Sequence, residues 1–431
     1  MLNIELMRRQ PDIARRSLER RREEPGVIDE ILALDERRRA QVAEADELRA
    51  QRNEASKAIG ELMKAGGGAD AEAQKEAVRV IGERLKGLDE SVRGSDEALR
   101  ALMLNLPNIV SDDVPDGDDE TGNVVLREEG VKRTYDFELK PHWELSESLG
   151  ITDFERGAKL SGRMFYVLRE PGIRLQRALI QWMLDLHREK HGYMEMGVPY
   201  LVLSETMEAS GNLPKFADAL YRHREDEEDL WLIPTAEVPL TSLHREEILE
   251  PGMLPIKYMA HTPCFRRERA AAGTQVRGLK RVHQFDKVEM YQFVEPEQSS
   301  ETLEQIVESA SDIARGLDLP FHVLQLCTGD LSFPSTKSYD LEIWTPASDE
   351  WLEVSSCSNC SDFQARRANI RFRREAGGRP ELVHTLNGSG LALPRVIIAI
   401  LETFQQADGS VRLPDVLVPY MGGQSVLEPL A

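Results

Sequence analysis

Residues 263–289 hold the densest set of groups suited to an anionic substrate. They read Pro263-Cys-Phe-Arg-Arg-Glu-Arg, a small-residue stretch Ala270-Ala-Ala-Gly-Thr, then Arg277-Gly-Leu-Lys-Arg-Val-His-Gln-Phe-Asp-Lys-Val-Glu289. Both flanks alternate in strand fashion. The alternation predicts a hairpin with Arg266 and Glu268 on one face of the outgoing strand, and Asp286 and Val288 sharing a face of the return strand. An arginine facing a cleft suits phosphate or carboxylate, because its guanidinium is planar, permanently charged and binds in a bidentate way. A surface hairpin laced by cross-strand ion pairs would show the same residues. His283 reads as a hydrogen-bonded structural histidine rather than an acid or base. Cys357-Ser-Asn-Cys360 has metal-ligand spacing, but Cys264 and Cys327 stand alone, so buried thiols are expected and no zinc. There is no Walker A pattern and no glycine-rich dinucleotide turn.

The elements around these residues fall into two styles. Val27, Ile31, Leu34, Arg38, Gln41, Ala45, Leu48, Arg52, Ala55, Ile59 and Leu62 step by four and three. The pattern resumes after Gly66-Gly67-Gly68 at Val78, Ile81, Leu85, Leu88, Val92, Ser95, Leu99, Leu102 and Leu106. This predicts two heptad helices of roughly 35 residues, about 50 Å each, paired as an antiparallel coiled-coil hairpin. A packing or dimerisation element would give the same heptads. Residues 1–24 read as a short amphipathic helix folding back. Pro107 ends the second helix, and the acidic Ser111–Gly122 stretch reads as a linker. The expected organisation is a helical arm over 1–110, a linker over 111–135 and a second domain over 136–431.

In that second domain, Ile173–Lys190 is amphipathic and helical, whereas Gly192–Val202 and Val282–Val294 are rich in strand formers. Tyr339–Trp344 and Trp351–Ser356 read as a hairpin, and a last helix runs from near Ala392 to Gln406. Strands following strands predict an α+β plan, an antiparallel sheet flanked by helices.

Composition bounds the rest. The net charge of −21 argues against nucleic acid in bulk, yet it is uneven. Residues 1–110 hold 20 Lys+Arg against 22 Asp+Glu, with clusters at Arg20–Arg22 and Arg37–Arg39, leaving 34 against 53 for the remainder. The apolar run Leu391–Leu401 is interrupted by Pro394 and Arg395, so no membrane span is expected. Glu5, Arg8, Arg9 and Asp12 break any apolar leader, and four cysteines make no disulfide framework, so a cytoplasmic location is expected.

Three segments in order carry a specific resemblance: Pro199 in a Gly-x-x-x-x-Gly-Val-Pro context, Phe-Arg-x-Glu at 265–268, and Gly-Ser-Gly-Leu-Ala-Leu-Pro-Arg at 388–395. They resemble motifs 1, 2 and 3 of class II aminoacyl-tRNA synthetases. Thr235-Ala-Glu237, Arg277-Gly-Leu, His283-Gln-Phe-Asp-Lys, Glu353-Val-Ser-Ser through Arg367, Asn387-Gly-Ser-Gly and Pro419-Tyr-Met-Gly-Gly423 narrow it to the seryl-tRNA synthetase family, over nearly the whole chain. Two departures, Arg269-Ala-Ala-Ala-Gly and Val276, bear on a loop and its contacts with the tRNA acceptor rather than on the reaction.

The resemblance implies activation of L-serine with ATP and Mg²⁺, transfer to serine tRNA with selenocysteine tRNA as a further candidate, and a homodimer. It implies that Arg266 binds the α-phosphate and the serine carboxylate, that Glu268 reads adenine with Phe285 stacked on it, and that Arg395 clamps the γ-phosphate. Arg267, Val354 and Ser355 complete the ATP site, and Glu353 and Ser356 are the Mg²⁺ ligands. Thr235, Ala236, Glu237, Glu289 and Ser389 form the serine pocket with Arg266. Arg38, Arg52 and Lys57 are candidate phosphate contacts on the arm. A synthetase-derived RNA-binding scaffold without catalysis is the alternative.

Overall fold

The computed structural model describes residues 1–64, 66, 68–225, 228–268 and 278–430. The segment 269–277, with the small-residue stretch, both departures and Arg277, lies outside the described residues, as does Gly67. The chain divides into two units, 2–106 and 107–431, the latter joined by Met1.

In the first unit the fold-back segment is two helices rather than one. They are α1 (Ile4–Arg9) and α2 (Pro11–Arg20), separated at Gln10 because Pro11 has no N–H to continue a helix and suits a first turn. The long helices α3 (Val27–Lys64) and α4 (Gly68–Leu104) follow, so α3 runs about 57 Å at 1.5 Å per residue. Ala45, Leu85 and Leu88 are buried between them with Leu48 and Ile81 alongside. The polar seam positions find each other: Ser95 Oγ donates to Gln41 Oε1 at 3.1 Å, and Arg38 pairs with Asp96. Arg49–Asp89 and Arg84–Glu44, both 2.6 Å, also bridge the pair, whereas Arg52 and Lys57 are exposed. Arg8 grips the buried Asp35 through two hydrogen bonds of 2.6 and 2.7 Å, docking α1 on α3.

The second unit is built on an eight-stranded sheet: β1 (Val124–Glu129), β2 (Met194–Glu195), β3 (Ile256–Phe265), β4 (Gln284–Val294), β5 (Phe321–Gln325), β6 (Lys337–Thr345), β7 (Glu350–Ser361) and β8 (His384–Ala392). Its order is β1-β5-β6-β7-β8-β4-β3-β2, antiparallel throughout except for the short β2 beside β3. Residues 124–129, within the stretch read as linker, supply the strand at one edge. Helices α5 (His142–Ser148), α6 (Gly172–Glu189), α7 (Glu237–Ser242), α8 (Ser299–Gly316) and α9 (Leu393–Phe404) pack around it.

Strand β4 shows how the sheet divides the interior. Its even residues Val288, Met290 and Val294 enter the main core with residues of α6, α8 and α9. Its odd residues Tyr291 and Phe293 enter a second core with Ala236, Leu240 and Ala365. The remaining odd positions, Phe285, Lys287 and Glu289, face a cavity instead. On β8 the same alternation turns Asn387 and Ser389 to the cavity and Gly388 away from it. A Cβ at Gly388 would lie 2.3 Å from Ile306 of α8, so this strand position admits only glycine.

Candidate active site

The cavity holds about 770 Å³ and opens over β4, β8 and β7. Register across these strands sets Glu289 opposite Ser389, and Met290 and Cys357 both opposite Gly388. Residues far apart in sequence thereby become neighbours on one floor. Eleven residues expected from the sequence line it: Thr235, Glu237, Arg266, Glu268, Phe285 and Glu289, with Glu353, Val354, Ser356, Ser389 and Arg395. Ala236, Arg267 and Ser355 stand outside the wall. Ala236 is buried in the second core, Arg267 is exposed, and Ser355 Oγ donates to the Ser389 carbonyl at 2.6 Å.

The strand expectation for Arg266 and Glu268 needs correcting. β3 ends at Phe265, and Glu268 takes a positive φ of 41° that no strand residue adopts. Arg266 is fixed by its backbone N–H to His283 O at 2.9 Å, and its Nε donates to Pro234 O at 3.3 Å. Its guanidinium lies over the Phe285 ring with the centroid 5.2 Å away. His283 has the structural surroundings expected of it: Nδ1 sits 3.0 Å from Tyr221 Oη and 2.9 Å from Arg266 O, and the ring stacks on Phe165.

One end of the floor is a buried polar cluster. Thr235 Oγ1 donates to Glu289 Oε2 at 3.0 Å and accepts from Lys287 Nζ at 2.9 Å, while Lys287 and Glu289 form an ion pair. Glu237, first residue of α7, accepts from Gln364 Nε2 at 2.6 Å. Burial, and then the charge of Glu289, raise the Glu237 carboxyl to about 7. Motif reading assigned no role to Lys287, Asn387 or Arg281, although all three line the cavity. Lys287 stood in the quoted His283–Lys287 run, but only the pairing of β4 against its neighbours reveals that it faces Glu289 and Thr235.

The other end carries the arginines. Arg395, in the first turn of α9 after Pro394, donates from Nη1 to Glu353 O at 2.6 Å and to Glu353 Oε2 at 3.2 Å. Burial alone would push the Glu353 carboxyl up, but Arg395 outweighs it and holds Glu353 below its ordinary range. Asp340, opposite Ser356 across β6 and β7, is pushed well above its ordinary range by burial and by the charge of Glu353. Asp340 Oδ1 is buried and has no hydrogen-bond partner among the described residues. Arg281 Nη1 donates to Glu268 Oε2 at 3.3 Å on the same side. Cys357 and Cys360 are both buried, and burial pushes the Cys357 thiol up to about 12.

A cavity joining an arginine-lined mouth to a buried acidic floor can hold an anionic nucleotide beside a small zwitterion. Comparison with known proteins identifies the family. Residues 220–404 match the model of the tRNA synthetase class II core domain (G, H, P, S and T), and residues 1–110 match the seryl-tRNA synthetase N-terminal domain. The chain is 57% identical over 424 residues to the serine–tRNA ligase of Thermomicrobium roseum, covering 98% of this chain and 94% of that protein. It is 56% identical to the serine–tRNA ligase of Roseiflexus sp., covering 99% of each. The seryl-tRNA synthetase of Pyrococcus horikoshii, solved with ATP, superposes with a TM-score of 0.93 at 38% identity over the full length of both chains. The cytoplasmic serine–tRNA ligase of Naegleria fowleri, solved with AMP, gives 0.88 at 28% identity over 100% of this chain and 99% of that one. With both parts of the chain matched and relatives aligned along nearly all of it, this chain belongs to the seryl-tRNA synthetase family.

Proposed function

We propose that this chain activates L-serine with ATP and transfers it to serine tRNA. A serine carboxylate oxygen attacks the α-phosphorus of ATP, pyrophosphate leaves, and seryl-adenylate forms. The terminal ribose hydroxyl of the tRNA then attacks the adenylate carbonyl and AMP leaves. The observation that carries this reading is the junction of two environments in one cavity: Arg266, with Glu353–Arg395, beside the buried Thr235–Lys287–Glu289 cluster. The reaction asks for charge neutralisation and alignment, which fixed arginines supply without reorganising.

In this reading Arg266 bridges the α-phosphate and the serine carboxylate. Arg395 holds the γ-phosphate, Phe285 stacks on adenine, and Glu268 reads its edge, with Arg267, Val354 and Ser355 as supports. Glu237 and Glu289, with Thr235, Ala236 and Ser389, receive the serine ammonium and hydroxyl. A buried carboxylate that needs a hydroxyl partner penalises alanine, because its hydrogen-bonding capacity would go unused.

Mg²⁺ fits Glu353 and Ser356, hard oxygen donors with the orphaned Asp340 Oδ1 on the neighbouring strand. When bound it would neutralise phosphate charge. Among the described residues no three His, Cys, Asp or Glu side chains gather to hold a metal. No helix among the described residues is long and apolar enough to cross a membrane, and a cytoplasmic location belongs to the same reading. So does a homodimer through the motif 1 region, supported by the exposed Ile173, Tyr200, Leu201 and Leu203. Selenocysteine tRNA is a second substrate to assay.

Serine-dependent ATP–pyrophosphate exchange tests the reading, with alanine, threonine and glycine as comparisons and Arg266→Ala as control. Exchange with serine alone, lost in the variant, is the expected result. A folded protein that binds ATP or RNA but exchanges with no amino acid would instead be the scaffold.

A further inference from the structure

Glycine in Arg277-Gly278-Leu279 has a partner 136 positions away in the chain. His142, the first residue of α5, is completely buried against Gly278. A Cβ at position 278 would lie 2.3 Å from His142 Nε2, and Gly278 has a φ of +68°. Both facts demand glycine there. The next residue, Leu279, donates its N–H to His142 Nε2 at 3.4 Å.

The other ring nitrogen, Nδ1, sits 3.0 Å from Glu402 Oε1, and Glu402 is also completely buried. Glu402 accepts the backbone N–H groups of His142 (3.0 Å), Ala347 (3.1 Å) and Ser348 (3.1 Å), and the Ser348 hydroxyl at 3.0 Å. It therefore ties α9, which begins with the Arg395 turn, to the β6–β7 turn and to His142. Lys280, next after Leu279, pairs with Glu350 at the start of β7. Leu279, Lys280 and Arg281 then line the cavity, Arg281 reaching Glu268.

We infer that His142 is a positioning residue for nucleotide binding. It is held by Glu402 as the Nδ1–H tautomer, and its free Nε2 lone pair fixes the Gly278–Leu279 turn, and with it the Leu279–Arg281 wall beside Glu268. An imidazole protonated at both nitrogens could not accept from Leu279, so the neutral form is the one that does this work. The inference rests on the serine-activating reading and deepens it. It assigns His142 to the ATP half of the cavity and not to the serine half, where the buried cluster is held by β4 and α7.

The test measures serine-dependent exchange and calorimetric ATP binding on the full chain, for wild type, His142→Asn, His142→Gln and Gly278→Ala. Asparagine keeps a donor where Nδ1 was and removes the acceptor, whereas glutamine can present an amide oxygen near the Nε2 position. For His142→Asn, KM and Kd for ATP should rise about tenfold, the scale of one buried hydrogen bond, with serine KM and kcat within about twofold of wild type. His142→Gln should restore ATP KM to within about threefold. Gly278→Ala should reproduce the ATP-selective loss and carries the test if His142→Asn does not fold. Equal losses on ATP and serine, or lower thermal stability with unchanged ATP affinity, would overturn the inference. A wild type without exchange would reject the underlying reading instead, whatever the variants do.

Discussion

Lys287 and Glu289, two residues apart on one face of β4, form an ion pair with their side chains 8% and 3% exposed, and Thr235 bridges them. Glu237 adds a second carboxylate beside the pair, raised by burial and then by the charge of Glu289, and lowered in part by Lys287. Lys287→Met should therefore strand Glu289. Removing one member of a buried pair costs about 3–5 kcal/mol, reduced here by the open cavity to about 2 kcal/mol. Thermal unfolding should show a lower Tm, and serine KM should rise more than ATP KM. An unchanged Tm would mean that solvent in the cavity already compensates the pair.

The raised carboxyl of Glu237 predicts a pH-dependent term in stability. In the folded protein it keeps its proton to about 7, whereas an ordinary glutamate loses it near 4.5. The folded state thus binds the proton more tightly. The penalty for ionising Glu237 is absent below about 4.5, grows as pH rises to about 7, and is constant above. Glu237→Gln mimics the protonated form. Its stability relative to wild type should climb across that window by about 1–3 kcal/mol and then level off, as read by urea melts at pH 5, 6, 7 and 8. A flat difference would show that Glu237 titrates normally.

Arg395 is held in place by the Glu353 carbonyl as well as by its carboxylate. Glu353→Gln should leave Arg395 positioned through the carbonyl while removing the negative charge and one of the two carboxylate oxygens offered to Mg²⁺. Exchange by this variant should need about tenfold more Mg²⁺ for half-maximal rate, with little change in Tm. Titration of exchange rate against free Mg²⁺ checks it, and chelation by EDTA should stop exchange in both proteins.

On the arm, Arg38 is already engaged by Asp96, whereas Arg52 and Lys57 are exposed on α3. Exposed cations are the ones able to meet an RNA backbone without breaking an internal pair. Reversing both, Arg52→Glu with Lys57→Glu, should raise KM for tRNA about tenfold and make it less dependent on salt, while ATP–pyrophosphate exchange stays at the wild-type rate. A parallel loss of exchange would indicate a folding defect rather than an RNA contact.

What depends on near neighbours was legible in the residues alone. Heptad steps from Val27 to Leu106 dictate two long helices, because a period near 3.5 exposes one apolar stripe that only a second helix can cover. The hairpin Tyr339–Ser356 and the last helix were legible for the same reason, and the ordered motifs identified the family. Local pattern misjudged Arg266 and Glu268. The strand periodicity continues through them in sequence, but the positive φ of Glu268 and the bonds of Arg266 to residues 234 and 283 end the strand. The three-dimensional packing alone shows that Lys287 pairs with Glu289 toward Thr235, that the Glu237 carboxyl is raised, and that Gly278 is glycine because His142 lies against it. Each depends on residues brought together by the β7-β8-β4 pairing or by α9 crossing to α5, separations of up to 260 positions between His142 and Glu402. Burial and the placement of a second charge are properties of that three-dimensional neighbourhood, and no window of sequence carries them.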